Sequence, residues 1–140
     1  MQPSRQEEDS LIWNRALLDA VRDAVFLADI ATGMIVDANP AAEYLCGRSL
    51  AELQVMHHTE LHPPENAELA RQGFDENVRV PGLIEGLLLH KSGRRIPVEI
   101  SSSQFATPDG KRIQIGVFPT VADTDFYPIG FAAETSGASI

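Results

Sequence analysis

The stretch Asp23–Ala24–Val25–Phe26–Leu27–Ala28–Asp29, followed by Ala31–Thr32–Gly33 and then Met34–Ile35–Val36–Asp37–Ala38–Asn39–Pro40, decides how this chain folds. Two short apolar runs joined by a Gly-containing loop predict a β-hairpin. Asn39–Pro40 then marks an abrupt change. The Asn side-chain oxygen can accept a bond from an otherwise unpaired amide of a first helical turn. Pro suits the first helical position because it has no amide proton to leave unbonded. A short helix is expected over Pro40–Leu45, stopping before Gly47. Ser49 and Glu52 make a capping box for a second short helix through Leu53.

Outward from there, the N-terminal side carries Leu11–Asp23, with Leu11, Leu18 and Val21 in one helical stripe and Trp13, Leu17 and Ala20 in the next. So wide an apolar arc on a short helix suits packing on its own domain with one edge and on a partner with the other, with Leu11, Trp13, Leu17, Leu18 and Val21 as the expected dimer contact. The alternative is a helix lying wholly against its own sheet. Residues 1–10 are polar and acidic and read as a disordered lead. Toward the C-terminus, Gln54–Pro64 is a His-bearing connection, and Glu65–Arg79 is expected to be a longer helix anchored by Leu69 and Phe74 and ended by Pro81–Gly82. Three strands follow: Leu83–His90, Arg95–Ser103 and Arg112–Val121. Their turns are Lys91–Ser92–Gly93–Arg94 and Pro108–Asp109–Gly110–Lys111. Residues 123–140, rich in Gly, Ala and Ser, read as a flexible tail. Strands at both ends of one chain, with helices between, predict an α+β fold: one five-stranded antiparallel sheet with the helices on one face.

A length of 140 residues allows one domain with one core. The net charge of −9, from 11 basic and 20 acidic residues, would repel nucleic acid. The densest basic spots, around Lys91, Arg94 and Arg95 and at Lys111–Arg112, read as solvated turn residues. Cys46 is the only cysteine, so no intrachain disulfide can form. No run approaches the roughly 20 apolar residues of a membrane helix, and MQPSRQEEDS has the wrong polarity for a secretory signal. The cytoplasm is the expected compartment.

The order and spacing of several segments resemble the PAS family. They are residues 23–29, the loop through Gly33, residues 35–42 and 45–53, His62–Pro63–Pro64–Glu65, Lys91–Ser92–Gly93–Arg94 and Asp109–Gly110, and the whole domain is bounded at residues 11–122. The resemblance implies a PAS-like domain whose sheet and helices enclose a cavity. Such a domain is a non-catalytic sensor or interaction module of a signal-transduction or transcription-regulatory protein, including bacterial two-component systems. Its partners would be a second copy of itself, signalling domains of the same or another protein, and a small ligand. Phe26, Tyr44, Met56, Phe74, Leu88, Val98, Ser102 and Val117 would line the cavity. The alternative is that they fill it, leaving a dimerisation domain without ligand. The family usually leaves its last strand through an Asp-x-Thr-like segment, which Val121–Ala122–Asp123–Thr124 matches only loosely. With no effector motif present, the chain reads as a fragment or a small stand-alone partner.

No cofactor is required by this reading, and haem and flavin are the two to weigh. His58 and His62 stand at the i, i+4 spacing of helical metal ligands, but Pro63 and Pro64 disfavour a continuous helix there, so no metal site is expected. A haem ligand would have to come from His58, His62 or His90, since residues 65–80 contain no His. Flavin photochemistry needs a reactive cysteine, whereas Cys46 sits where the family places an apolar core residue and reads as a buried, inert thiol. Ser101–Ser102–Ser103 lies in no hydrolase motif.

Overall fold

A computed structural model describes residues 4–79 and 83–119. Helix α1 (Arg5–Ala20) leads into β1 (Ala24–Asp29) and β2 (Ile35–Ala38), then α2 (Pro40–Cys46), α3 (Leu50–Leu53) and two single 3-10 turns, His58–Leu61 and Pro64–Asn66. Helix α4 (Ala67–Arg79) precedes β3 (Leu83–Leu89), β4 (Arg95–Ala106) and β5 (Arg112–Phe118). The strands form one antiparallel sheet in the order β2-β1-β5-β4-β3. The first and last strands of the chain therefore lie side by side: Phe26 pairs with Gly116 and Leu27 with Ile115.

The chain's punctuation does what its chemistry dictates. Gly47 ends α2 at φ 71°, and its N–H donates to the Glu43 carbonyl. Ser49 and Glu52 close the capping box of α3. Gly33 turns the first hairpin at φ 74°, a conformation that side chains resist, and His57 occupies the space a Cβ would need. The basic turn between β3 and β4 is tied down at both ends by carboxylates from distant elements, Lys91 to Glu52 at 2.5 Å and Arg95 to Glu65 at 2.7 Å.

Asn39 does more than cap α2. It is fully buried, and its Oδ1 accepts from the N–H of Val25 (2.9 Å) and of Ala42 (3.0 Å). Its Nδ2 donates to the carbonyls of Leu18, Val21 and Asp23. One amide thereby joins the end of α1, the start of β1 and the first turn of α2. Arg15 adds a second tie from α1, to Asp37 at 2.9 Å.

Several expected boundaries move, and α1 ends at Ala20 rather than at the expected Asp23. Helix α1 begins at Arg5, so residues 5–10 are helical rather than a disordered lead: Arg5 to Asp9 continue a pattern with no breaker in it. The expected long helix Glu65–Arg79 opens with a 3-10 turn, because Pro64 and the preceding Pro63 set a tighter start. Strand β4 runs on to Ala106, three residues past Ser103. Residues 1–3, the Pro81–Gly82 stop, the expected strand end at Val121, the segment Val121–Thr124 and the tail 123–140 lie outside the described residues.

The core lies between the sheet and the helices. Ala24, Phe26, Ile35, Ala38 and Phe118 from the strands meet Ala42, Cys46, Leu53 and Leu61 from the helical side. Among the described residues, no helix is long and apolar enough to cross a membrane.

Candidate functional site

The segment after α3 is pinned to the first hairpin. Met34 bridges to His57, and the His58 N–H donates to the Gly33 carbonyl at 2.9 Å. That places the His58 ring under α4, stacked on Phe74 with centroids 3.9 Å apart and planes 17° from parallel. His62 follows one turn later, and its Nδ1–H donates to the Leu87 carbonyl on the edge strand at 2.5 Å. The two histidines thus belong to the buried wall of the molecule rather than to a solvent-facing connection. Burial makes a positive charge on His58 costly and pulls its pKa down to about 3, with the nearby His57 and His62 adding to the effect. Burial lowers His62 too, against the raising effect of its bond to Leu87. Among the described residues, no group of three or more His, Cys, Asp or Glu is placed to hold a metal ion.

Between this wall and the sheet lies a cavity of about 160 Å³. Its floor is set by the strand register. Phe26, Gly116 and Ser102 form one row across β1, β5 and β4, and Ala28 and Gln114 begin the next. Phe26 and Phe118 lie 4.9 Å apart at 59° on the floor, while Phe74 and His58 form the opposite wall. Gln114 is 6% exposed, and its Oε1 has no hydrogen-bond partner.

Of the eight residues expected to line a pocket, Phe26, Phe74 and Ser102 do so. Tyr44 does not: it is 89% exposed, because Ala42 and Cys46 are the α2 residues turned to the core. Leu88 is fully buried and Met56 and Val98 are half-buried, all three packed in the core rather than on the cavity. Val117 lies on the opposite face of the sheet, since its neighbours Gly116 and Phe118 face inward. Leu69 borders the cavity but is 66% exposed, so of the two expected α4 anchors only Phe74 is half-buried. Leu61, Asn66, Ile100, Gln114, Gly116 and Phe118 went unrecognised in the sequence. Three of them follow the alternation Gln114, Gly116, Phe118, but the triplet Ile113, Ile115 and Val117 beside it is the more apolar. On α1, Trp13 is 68% exposed, and Ile12 and Leu17 are exposed as well, as is Val21 just past its end, with Leu18 half-buried. The Leu11 side chain lies outside the described set.

A family model described as PAS fold matches residues 14–119. The chain belongs to the PAS family. The chain is similar to the solved PAS domain of a two-component sensor histidine kinase, with 16% identity, a TM-score of 0.70 and 81% of this chain aligned to 97% of that one. It is similar too to a domain of a sensory box sensor histidine kinase/response regulator from Geobacter sulfurreducens, with 23% identity, a TM-score of 0.62 and coverage of 81% and 98%. An RNA-binding Light-Oxygen-Voltage receptor aligns over 82% of this chain and 34% of its own, at 21% identity and a TM-score of 0.64. No curated protein matches the chain.

The cavity does not fit the two large cofactors weighed for this PAS domain. Its 160 Å³ is close to the roughly 150 Å³ that holds a single benzene ring, well short of a porphyrin or a three-ring flavin. Cys46 sits fully buried in the core, away from the cavity, and burial pushes its thiol pKa up, which disfavours a reactive thiolate.

Proposed function

We propose that this PAS domain is a non-catalytic sensor and interaction module of a signalling protein, which binds a small ligand in its internal cavity and dimerises through α1. The observation that carries the ligand reading is the hollow in the middle of the sheet, where Gly116 stands between Phe26 and Ser102 and a buried acceptor on Gln114 is left unmet. A filled-core domain has no reason to leave either. Occupancy would be felt first by α4, whose Phe74 stacks on His58, and by the edge strand β3, which His62 holds. Its partners are a second copy and signalling domains of the same or another protein in the cytoplasm.

The dimer reading rests on a separate observation. Trp13 and Leu17, with Val21 just past the helix end, expose an apolar face on a helix held to the domain by polar ties at Asn39 and Arg15. Such a face on a tethered helix is suited to a second copy. Native mass spectrometry and the absorbance spectrum of the purified chain test both parts. A bound mass supports the sensor. A dimer that becomes a monomer when Trp13 and Leu17 are replaced by Ser supports the helix contact. A colourless, ligand-free protein that dimerises unchanged in that variant would contradict both.

A further inference from the structure

Gln114 reaches the cavity from the middle strand of the sheet, between Ala28 on β1 and Gln104 on β4. A buried acceptor with no donor carries a desolvation penalty that a donor on a ligand would cancel. Beside it, Gly116 is in ordinary extended backbone. A Cβ there would meet Phe118 at 3.4 Å and Ile100 at 3.6 Å, which is normal contact. The backbone therefore does not require glycine at this place. What glycine does is leave volume, and a glycine inside a strand costs stability unless something else uses the space.

The walls say what would use it. Two aromatic pairs, Phe26 with Phe118 and His58 with Phe74, bound the hollow, and rings so placed favour an aromatic guest in offset or edge contact. Among the described residues, no lysine or arginine lines the cavity. A carboxylate or phosphate would lose its water there with no cation to meet it. Among the described residues, Glu85 is the one carboxylate along it, and it is exposed to solvent.

We infer that the cavity takes a neutral, single-ring aromatic molecule bearing one O–H or N–H donor, of the phenol or aniline type, with the ring between the two aromatic pairs and the donor on Gln114 Oε1. This assignment rests on the ligand-binding reading above and narrows it. The size agrees: about 160 Å³ suits one ring, not two.

The test is an NMR titration of the isotope-labelled full chain with phenol, toluene and benzoate in parallel. Phenol is expected to shift Phe26, Ser102, Gly116 and the Gln114 side-chain amide, and to bind about fivefold tighter than toluene, the advantage of one hydrogen bond. Benzoate should leave those signals in place. Gln114→Leu should erase the advantage of phenol while toluene binds as before, and Gly116→Leu should exclude both. Should Gly116→Leu fail to fold, competition between phenol and toluene in the unaltered protein reports the shared site. Benzoate binding as well as phenol, or a phenol-to-toluene ratio unchanged by Gln114→Leu, would overturn the assignment and leave the sensor reading standing. Failure of toluene and phenol alike would remove both.

Discussion

The two ends of the space beneath the sheet are built differently. At the α2–α3 end, Ala42, Cys46, Leu53 and Leu88 are all fully buried and pack into one another. At the α4 end, the same sheet meets half-buried Phe74, two histidines that cannot readily take a proton, and a hollow floored by Gly116. Both ends bury apolar surface, but only one is filled. A core need not be uniformly packed to be stable, provided that one end supplies the cohesion the other forgoes.

The contrast can be broken first at its tight end. Leu88→Ala should lower stability by about 2–5 kcal/mol in chemical denaturation, since no neighbour can collapse into the gap. A loss under about 1 kcal/mol would mean that this end, too, is loosely packed. Asn39→Ala comes next, at about 2–3 kcal/mol, because it removes five side-chain hydrogen bonds at the junction of α1, β1 and α2, the one to the buried Val25 N–H among them. Hydrogen exchange should then open α1 and the first turn of α2 together.

A smaller effect belongs to the open end. His58 takes a proton in the unfolded chain near its ordinary pKa of 6.5 but in the folded protein only near 3. The unfolded state thus binds more protons between those values, and stability is full above 6.5 and falls as the pH drops below it. The slope is at most about 1.4 kcal/mol per pH unit for this group. Melting curves from pH 7 to pH 5 should show the fall, and His58→Phe, which keeps a ring on Phe74, should flatten it. The smallest change runs the other way. Gly116→Ala should stabilise the protein by roughly 0.5–1 kcal/mol while reducing the volume of the hollow. A destabilising result would mean that the glycine is needed for the backbone rather than for the space.

The sequence carried the frame of this molecule more clearly than its interior. Asn39–Pro40, the Ser49–Glu52 box and the Gly-containing turns act over a few residues each, so their chemistry could be read directly. Joining the first hairpin to the last strand followed from the order of the segments. The cavity was harder because it depends on which side of each strand faces in. In β5 that choice fell against the apolar triplet Ile113, Ile115 and Val117. The strand is the middle one of five, with Ile113 buried on the far face as well, so hydrophobicity alone does not mark its inner side. Tyr44 failed for the matching reason on α2, where small residues, Ala42 and Cys46, face the core. His58 looked like a loop residue because its burial comes from Gly33 and Phe74, which are distant in sequence.

A crystal structure of the protein grown with saturating phenol bears most directly on the half-hollow core as a ligand site. The account predicts one ring between Phe26 and Phe74, its hydroxyl about 3 Å from Gln114 Oε1 and Gly116 beneath it. A cavity closed by the Phe118 or Phe74 side chain, with no phenol in it, would contradict it.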